Sequence, residues 1–446
     1  MAGERFVVLG LAQARSAWFR NLGQWSTSGA LPTEFLKCLS AEEVRARLAS
    51  GRPYSALLVD AGLPGVDRDL LATARAAGCA TLVVDDGRTG RDWAALGAAA
   101  VLGAAFDRHD LVDALTAHAR PIARGEARSG ALAGPAPPPG PAAWRCPVAA
   151  VTGPGGTGVS TAAIALAQAL GDDVRHGGLV CLADLRLHAE QAMLHDARDV
   201  LPSIQELVEA HRSGQPSADE VRAQAFAVEE RGYHLLLGLR QARFWPALRR
   251  RAFDATFDSL RRAYRVLVCD VDPELEGERE GGSIDVEERN VMARTAMAEA
   301  DLVFAVGLPS MKGVHALVRV VVELLAFGVR PDRIVPVVNR APRSPRARAA
   351  LTATVADLAE PAVARATEAA GFVGLPNPVF LPERRIDEAL RDGTRLPPGL
   401  GAPLAGAFAA VRGRGAPAPG GAGEAGPERV RPGSLGRWTE PEAASG

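Results

Sequence analysis

One stretch of this chain limits its fold more than any other: an apolar strand pattern, a glycine-rich loop and an alanine-rich helix pattern in direct succession. The strand pattern covers 148–151, the loop is Gly153-Pro-Gly-Gly-Thr-Gly158, and Ser160 and Thr161 precede a helix pattern at 162–170. A strand that enters a helix through such a loop is typical of parallel α/β sheets. The backbone N–H groups of the loop would then cradle a phosphate group at the helix N-terminus.

The loop keeps the spacing of the phosphate-binding pattern G-x-x-x-x-G-K-[S/T], but Val159 stands where the lysine belongs. The chain has lysine only at Lys37 and Lys312, and a drift toward arginine would not place a valine here. That lysine normally brings a point charge to the β- and γ-phosphates. The sequence therefore predicts a phosphate cradle without its charge. Its candidate nucleotide-binding residues are Gly153, Gly155, Gly156, Thr157, Gly158, Val159, Ser160 and Thr161.

The length of 446 residues predicts two or three domains. Strand and helix patterns alternate over 1–119, which predicts a parallel sheet covered on both faces. Residues 120–143 are rich in Ala, Gly and Pro and are predicted to form a linker. A second α/β domain is predicted over 144–412, followed by a Gly- and Pro-rich tail, 413–446, that we expect to be disordered.

Charge and cysteine content exclude several classes of protein. A net charge of −1 predicts no general affinity for nucleic acid or anionic membranes. No stretch approaches the roughly 20 apolar residues that a membrane span needs. We therefore expect a soluble cytoplasmic protein. The five cysteines form no C-x-x-C pair and are predicted to be reduced thiols rather than metal ligands or disulfides: Cys38, Cys79, Cys146, Cys181 and Cys269.

In the first domain, Asp60 ends an apolar strand pattern just before Leu63-Pro-Gly. This segment resembles the third strand of response-regulator receiver domains, and the resemblance implies that Asp60 holds the phospho-acceptor position. Receivers also need an acidic pair after the first strand and a lysine after the fifth. Here 9–13 holds no carboxylate and Ala104 takes the place of the lysine. We expect Asp60 to be a vestigial phospho-acceptor that caps a turn, and a docking or dimerisation role for this domain stays open.

Three more polar groups follow apolar strand patterns in the second domain. Asp184 follows the strand pattern at 178–183, Asp270 follows the one at 266–269, and Asn339 and Arg340 follow the one at 334–338. The strand before Asp270 resembles a Walker B strand, and this resemblance implies that Asp270 and the Ser160 hydroxyl hold Mg²⁺ as a pair. A simple turn-capping role for Asp270, and a strand-end turn at Asn339 and Arg340, are the alternatives.

Together with Leu381-Pro-Glu-Arg-Arg-Ile-Asp-Glu-Ala-Leu-Arg-Asp-Gly393, these motifs resemble the MinD/ParA superfamily of P-loop ATPases. The receiver-like domain ahead of them resembles the CpaE/TadZ branch, and the lysine-free loop resembles actinobacterial septum-site-determining proteins. The resemblance implies ATP and Mg²⁺ as cofactors, an adenine contact at Asn339 and Arg340, a nucleotide contact at Asp184, and a homodimer. It covers nearly the whole chain apart from linker and tail.

Three charged positions of that superfamily differ here. The signature lysine is Pro154, the loop lysine is Val159, and the switch aspartate that orients water is Arg186. Removing one such group commonly lowers the rate of hydrolysis by orders of magnitude, and the effects of groups that act as a unit are not independent. We therefore do not expect ATP hydrolysis. Binding of ATP and Mg²⁺ stays open. We expect Arg186 to be solvated, with contact to a phosphate as the alternative.

The sequence thus predicts a non-catalytic or weakly nucleotide-binding positioning or scaffold protein. The resemblance implies protein partners in septum-site determination or Tad-type pilus localisation, and recruitment to a pole or septum. One alternative is an active ATP-dependent dimerisation switch. Another is an atypical response regulator that binds DNA, although no helix-turn-helix or basic domain follows the receiver-like domain. The basic helix pattern at 248–262 is predicted to be an amphipathic crossover helix, with DNA contact as in partition ATPases as the alternative. The short apolar stretch 404–411 does not support membrane attachment.

Overall fold

The computed structural model describes residues 5–13, 16–28, 31–49, 52–122, 144–197, 200–278, 284–370 and 374–415. Residues 416–446 of the predicted tail, which was expected from 413, lie outside these ranges, as does nearly all of the predicted linker. We call residues 5–122 the N-terminal unit and residues 144–415 the C-terminal unit.

The N-terminal unit alternates strands and helices, as its sequence predicted. Its elements are β1 (Phe6–Leu11), α1 (Ala17–Thr27), β2 (Thr33–Cys38), α2 (Ala41–Ala49), β3 (Ala56–Asp60), α3 (Arg68–Ala76), β4 (Ala80–Asp85), α4 (Trp93–Leu96), β5 (Ala100–Gly103) and α5 (Arg108–His118).

The five strands pair in parallel in the order β2-β1-β3-β4-β5. The inner strands β1 and β3 are buried on both faces, which explains their continuous apolar sequences. Sequence patterns had not identified α1, β2 or α4. In β2, Glu34 and Lys37 interrupt the apolar pattern because this strand lies at the sheet edge.

The C-terminal unit is built on a larger sheet. Its elements are β6 (Val148–Thr152), α6 (Val159–Gly171), β7 (Val180–Leu185), α7 (Gln191–Leu194), α8 (Ile204–Ser213), α9 (Ala218–Arg222), β8 (Phe226–Val228), β9 (Tyr233–Leu236), α10 (Arg250–Ala263), β10 (Val266–Val271), α11 (Ile284–Arg289), α12 (Val291–Glu299), β11 (Leu302–Gly307), α13 (Met311–Phe327), β12 (Ile334–Ala341), α14 (Pro345–Ala370), β13 (Val379–Pro382), α15 (Asp387–Arg391) and α16 (Pro398–Gly415).

The eight strands follow the order β13-β12-β11-β6-β10-β7-β9-β8. All neighbours are parallel except β8, which pairs antiparallel with β9 at the edge. The strand β6, which leads into the glycine-rich loop, lies in the interior between β11 and β10. Helices flank this sheet as they flank the first. The predicted α/β fold class is confirmed: each unit is built on a sheet of parallel strands flanked by helices, with β8 as the antiparallel exception.

Helix α16 closes one face of the larger sheet. Its apolar residues Leu400, Leu404 and Phe408 are buried in the same cluster as the helix α6. Before it, the side chain of Gln168 in α6 both donates to the carbonyl of Leu396 (2.9 Å) and accepts from its N–H (2.8 Å). The apolar stretch at 404–411 is therefore core. No helix of the described ranges has the length and apolar character to cross a membrane.

The contact between α6 and α16 depends on Gly401. A Cβ atom at this position would lie 2.2 Å from the carbonyl oxygen of Ala165. Because neither backbone can yield cheaply, Gly401→Ala should lower the free energy of unfolding by about 1–3 kcal/mol. Gly406 lies on the same helix with no atom within 4 Å of its Cβ position. Gly406→Ala should therefore be neutral or stabilise by up to about 1 kcal/mol, because alanine favours helix. Urea denaturation of both variants measures the difference, and equal effects would contradict the close packing.

Candidate functional site

The predicted site residues meet at the carboxyl edge of the larger sheet. The loop follows β6, which lies between β11 and β10. In the same sheet, Asp184 of β7 pairs in register with Asp270 of β10. Three glycines of this loop have a positive φ, and two of them, Gly153 (152°) and Gly158 (90°), also lie against neighbouring atoms. A Cβ atom would lie 2.3 Å from the carbonyl oxygen of Val306 at the first and 2.4 Å from the Asn339 amide nitrogen at the second. The loop therefore needs glycine at both positions.

Asn339 braces the loop from the neighbouring strand. Its Nδ2 donates to the carbonyl of Thr157 (2.9 Å), and its Oδ1 accepts from the N–H of Arg340 (2.9 Å). Arg340 itself has a φ of 52°. Both polar atoms of the Asn339 side chain are thus used in hydrogen bonds, one to the loop and one within a strand-end turn. The strand-end turn is the alternative that the sequence analysis raised for Asn339 and Arg340. The adenine contact stays a prediction.

Arg340 also borders a cleft of about 850 Å³ beside the loop. Gly158 and Thr161 line its loop side, and Arg343, Arg384 and Arg385 line the other. Among the predicted nucleotide-binding residues, Gly155 and Gly156 are exposed, while Thr157 and Ser160 are buried.

Val159 is only 4 % exposed and belongs to the apolar cluster of α6 and the sheet. Its Cγ2 lies 3.2 Å from the Cβ position of Gly153, beneath the loop. The residue that replaces the lysine therefore fills core space under the cradle.

Arg186 is the main departure from expectation. Its side chain is only 13 % exposed, and its guanidinium lies between two carboxylates, with Nη2 at 2.9 Å from Asp272 and Nη1 at 3.6 Å from Asp270. The prediction of a solvated arginine is wrong, because both aspartates at the end of β10 draw the guanidinium inward. The contact to a phosphate has no support either, since the cation is already paired within the protein.

Gln191, the first residue of α7, was not identified from the sequence. Its Nε2 donates to Asp270 Oδ2 (2.7 Å), and its backbone N–H donates to Asp184 Oδ2 (2.9 Å). The backbone N–H of Arg186 donates to the other oxygen of Asp184 (3.3 Å). One short segment, 186–191, thus donates hydrogen bonds to both buried aspartates. No local signal marks a glutamine for such a role, because its partners are distant in sequence.

The two aspartates are fully buried, at 0 % exposure each. Burial, and then the charge of Asp270, raise the pKa of Asp184 well above its usual range. Burial also raises the pKa of Asp270, while Arg186 and hydrogen bonds from Ser160 and Gln191 oppose that rise. Arg186 is therefore the cation that makes a second buried carboxylate tolerable.

This arrangement does not fit a magnesium ion at Ser160 and Asp270. Magnesium needs free carboxylate or water oxygens in octahedral geometry. One oxygen of Asp270 instead accepts from the Gln191 amide, and the positively charged guanidinium of Arg186 lies 3.6 Å from the other. A metal cation at Asp270 would be repelled by that guanidinium. The magnesium pair stays a prediction from sequence that this geometry does not favour.

Asp60 lies in the N-terminal unit, away from these residues. Its Oδ2 accepts from the hydroxyl of Ser16 (2.8 Å). Over the described ranges, no group of three or more His, Cys, Asp or Glu side chains is placed to hold a metal ion. All five cysteines are buried and unpaired with one another.

The position of Val159 gives a prediction. Val159→Lys should raise the affinity for ATP about tenfold or more, because a lysine–phosphate contact contributes roughly 1.5–3 kcal/mol. Magnesium should not raise that affinity further, since Gln191 and Arg186 still hold Asp270. Calorimetry with and without Mg²⁺ measures both effects. Val174, which is 91 % exposed, supplies the control Val174→Lys. A strong Mg²⁺ dependence in Val159→Lys would contradict the closed geometry of Asp270.

Comparison with known proteins gives matches among solved structures only. No protein-family model and no curated protein matches this chain. A ParA family ATPase from Chlorobium tepidum matches at 13 % identity and a TM-score of 0.44, covering 59 % of this chain and 98 % of its own. The septum site-determining protein MinD from Pyrococcus horikoshii, in complex with Mg-ADP, matches at 18 % identity and a TM-score of 0.42. That match covers 60 % of this chain and 97 % of the matched chain. A MinC:MinD cell division protein complex from Aquifex aeolicus matches at 17 % identity and a TM-score of 0.41. That match covers 61 % of this chain and 98 % of the matched chain.

Two of these matched structures are thus a ParA family ATPase and a MinD protein. At this identity the likeness concerns the fold. The CpaE/TadZ branch and the closeness to actinobacterial proteins stay predictions.

Proposed function

We propose that this protein is a non-catalytic positioning or scaffold protein of the MinD/ParA type. One observation carries the proposal: the Arg186 guanidinium lies between Asp270 and Asp272 with Gln191 bound to Asp270. In a working P-loop ATPase this aspartate serves the magnesium ion. Here Gln191 and Arg186 contact Asp270 instead, so its buried carboxylate has partners without a metal ion.

Hydrolysis needs a lysine on the phosphates and a metal to offset the developing charge. The loop has Val159 buried under it, and Asp270 is engaged by protein groups. What remains is a glycine cradle of backbone N–H groups, braced by Asn339. Such a cradle supports at most weak, metal-independent nucleotide binding.

The biological role follows from the motif resemblance, not from the geometry. We propose protein partners of the division or pilus-assembly machinery, with septum-site determination and Tad-type pilus localisation as the two settings. Membership of the CpaE/TadZ branch and recruitment to a pole or septum belong to the same proposal. The function would then depend on surfaces that bind partner proteins and not on ATP turnover.

A DNA contact through α10 gains little support. Three of the four arginines of this helix are paired with acidic side chains: Arg250 with Glu287, Arg261 with Glu299, and Arg262 with Asp258. Neutralised arginines contribute little to phosphate binding.

Two measurements test the proposal. Purified full-length protein should release no phosphate from ATP above a blank without protein, with or without Mg²⁺. A fluorescent fusion in the native host should form foci at septum or pole, and Ser160→Ala should leave them unchanged because no metal–nucleotide complex is required. Phosphate release that Ser160→Ala abolishes, or foci that it disperses, would instead establish the ATP-dependent switch. Septal and polar foci distinguish the two settings.

A further inference from the structure

The first turn of α3 is buried between the two units. Asp67, at the N-cap of α3, and Asp69 are 7 % and 9 % exposed. Asp67 contacts α8 and Asp69 contacts α10 of the C-terminal unit, and Arg68 between them is half-buried. Buried charged side chains require partners, because an unpaired buried charge is costly.

Arg68 caps the end of α8. Its Nε donates to the carbonyl of His211 (2.8 Å), and its Nη2 donates to the carbonyl of Gly214 (2.9 Å). The last carbonyls of a helix have no partner within the helix, and the helix dipole favours a cation there. Helix α8 ends at Ser213, so the guanidinium lies at its C-terminal end.

Asp69 caps the start of α10. Its Oδ1 accepts from the backbone N–H of Arg251 (3.1 Å), in the first turn of that helix. The first N–H groups of a helix also lack intrahelical partners, and the dipole there favours an anion. The neighbouring Asp67 caps α3 itself at Leu70 (3.0 Å) and pairs with Arg212 of α8 (3.3 Å).

Each charge therefore has the sign that its helix end requires. The pair also costs desolvation: burial lowers the pKa of Arg68, and burial followed by the charge of Asp67 raises the pKa of Asp69. Groups that are desolvated to this extent are held by specific partners rather than by a loose electrostatic contact.

Both capped helices lead to the candidate site. Helix α8 is the next helix after α7, which starts at Gln191, and the N–H of Ile204 donates to the carbonyl of Leu237 just after β9. Helix α10 precedes β10, which carries Asp270.

We infer that the N-terminal unit serves the C-terminal unit as a built-in helix-capping partner, docked through Arg68 and Asp69 on the ends of α8 and α10. This surface is a permanent intramolecular interface, and its partner is the C-terminal unit of the same chain. The role needs no phosphorylation of Asp60. It is independent of the proposed positioning function.

The test uses the full chain with a site-specific protease sequence placed within 124–143. After cleavage, the two halves should still elute together in size-exclusion chromatography. The double variant Arg68→Ala/Asp69→Asn should elute as separate halves, and Arg212→Glu, which reaches the interface from the other side, should weaken co-elution. Arg88→Ala is the control, because Arg88 is an exposed arginine of the N-terminal unit that pairs locally with Asp86.

Hydrogen exchange on the uncleaved chain gives a second readout. Amides at 204–213 and 250–254 should exchange about tenfold faster or more in the double variant, while the strands of both sheets stay protected. Wild-type halves that separate on cleavage, or halves of the double variant and of Arg212→Glu that still co-elute with unchanged exchange, would overturn the inference. These readouts involve neither nucleotide nor localisation, so they fail or succeed apart from the proposed function.

Discussion

Replacing Arg186 with alanine should lower the free energy of unfolding by about 3–5 kcal/mol, which is the usual cost of removing one partner from a buried ion pair. The change leaves the carboxylates of Asp270 and Asp272 without their cation, and Asp270 is fully buried. Urea denaturation followed by circular dichroism measures the loss. The double variant Arg186→Ala/Asp270→Asn should recover part of it, because the uncompensated charge is gone.

The same variant should acquire sensitivity to magnesium. With the guanidinium removed, Mg²⁺ can approach Asp270 and Asp272, so it should raise the melting temperature of Arg186→Ala and leave wild type unchanged. Arg175→Ala is the control, since Arg175 forms its ion pair with Asp173 at the surface with a 76 % exposed side chain. That control should show no measurable change. An Arg186→Ala variant with the same free energy of unfolding as wild type would show that the ion pairs of Arg186 with Asp270 and Asp272 do not stabilise the fold.

Replacing Arg231 with methionine should cost about 4 kcal/mol, because buried carbonyls that lose their donor each carry a penalty of roughly 1–3 kcal/mol. Arg231 is fully buried and donates to three backbone carbonyls, of Thr394 (2.9 Å), Ala389 (2.9 Å) and Leu194 (3.4 Å). It thus joins α7, which starts at Gln191, to the segment around α15.

A buried polar cluster surrounds that guanidinium. His195 Nε2 lies 2.6 Å from the hydroxyl of Tyr233. Burial, and then the charge of Arg231, lower the pKa of His195 to about 4. Loss of Arg231 should therefore loosen α7 and the segment 386–396 together, which limited proteolysis or hydrogen exchange detects. Arg395, with 45 % of its side chain exposed, gives the matched control Arg395→Met, for which we expect little change. Equal effects of the two variants would refute the role of Arg231.

The sequence predicted those parts of the fold that local patterns determine. Apolar runs such as those of β6 and β10 are buried on both faces of a parallel sheet, so their hydrophobicity is continuous and easy to recognise. The glycines at 153 and 158 also mark the loop, because its backbone requires positive φ at both. Short or edge elements such as β2, β8 and β13 were missed, since half-exposed strands carry weak patterns.

The closed geometry of the site could not be predicted in the same way. Arg186 and Gln191 owe their roles to Asp270, about 80 residues further along the chain, and only the pairing of β7 with β10 brings them together. Arg231 and Arg68 also act on carbonyls far away in sequence. Charge at a sequence position indicates neither burial nor partner, which is why Arg186 was expected in solvent.

The most direct test of the central claim is calorimetry of the full-length wild-type protein with ATP, in the presence and absence of Mg²⁺, with Ser160→Ala as the comparison. If Arg186 and Gln191 close the metal position, Mg²⁺ will produce no saturable heat with ATP up to millimolar concentrations, and the variant will behave like wild type. Saturable binding that requires Mg²⁺ and is lost in Ser160→Ala would contradict the account.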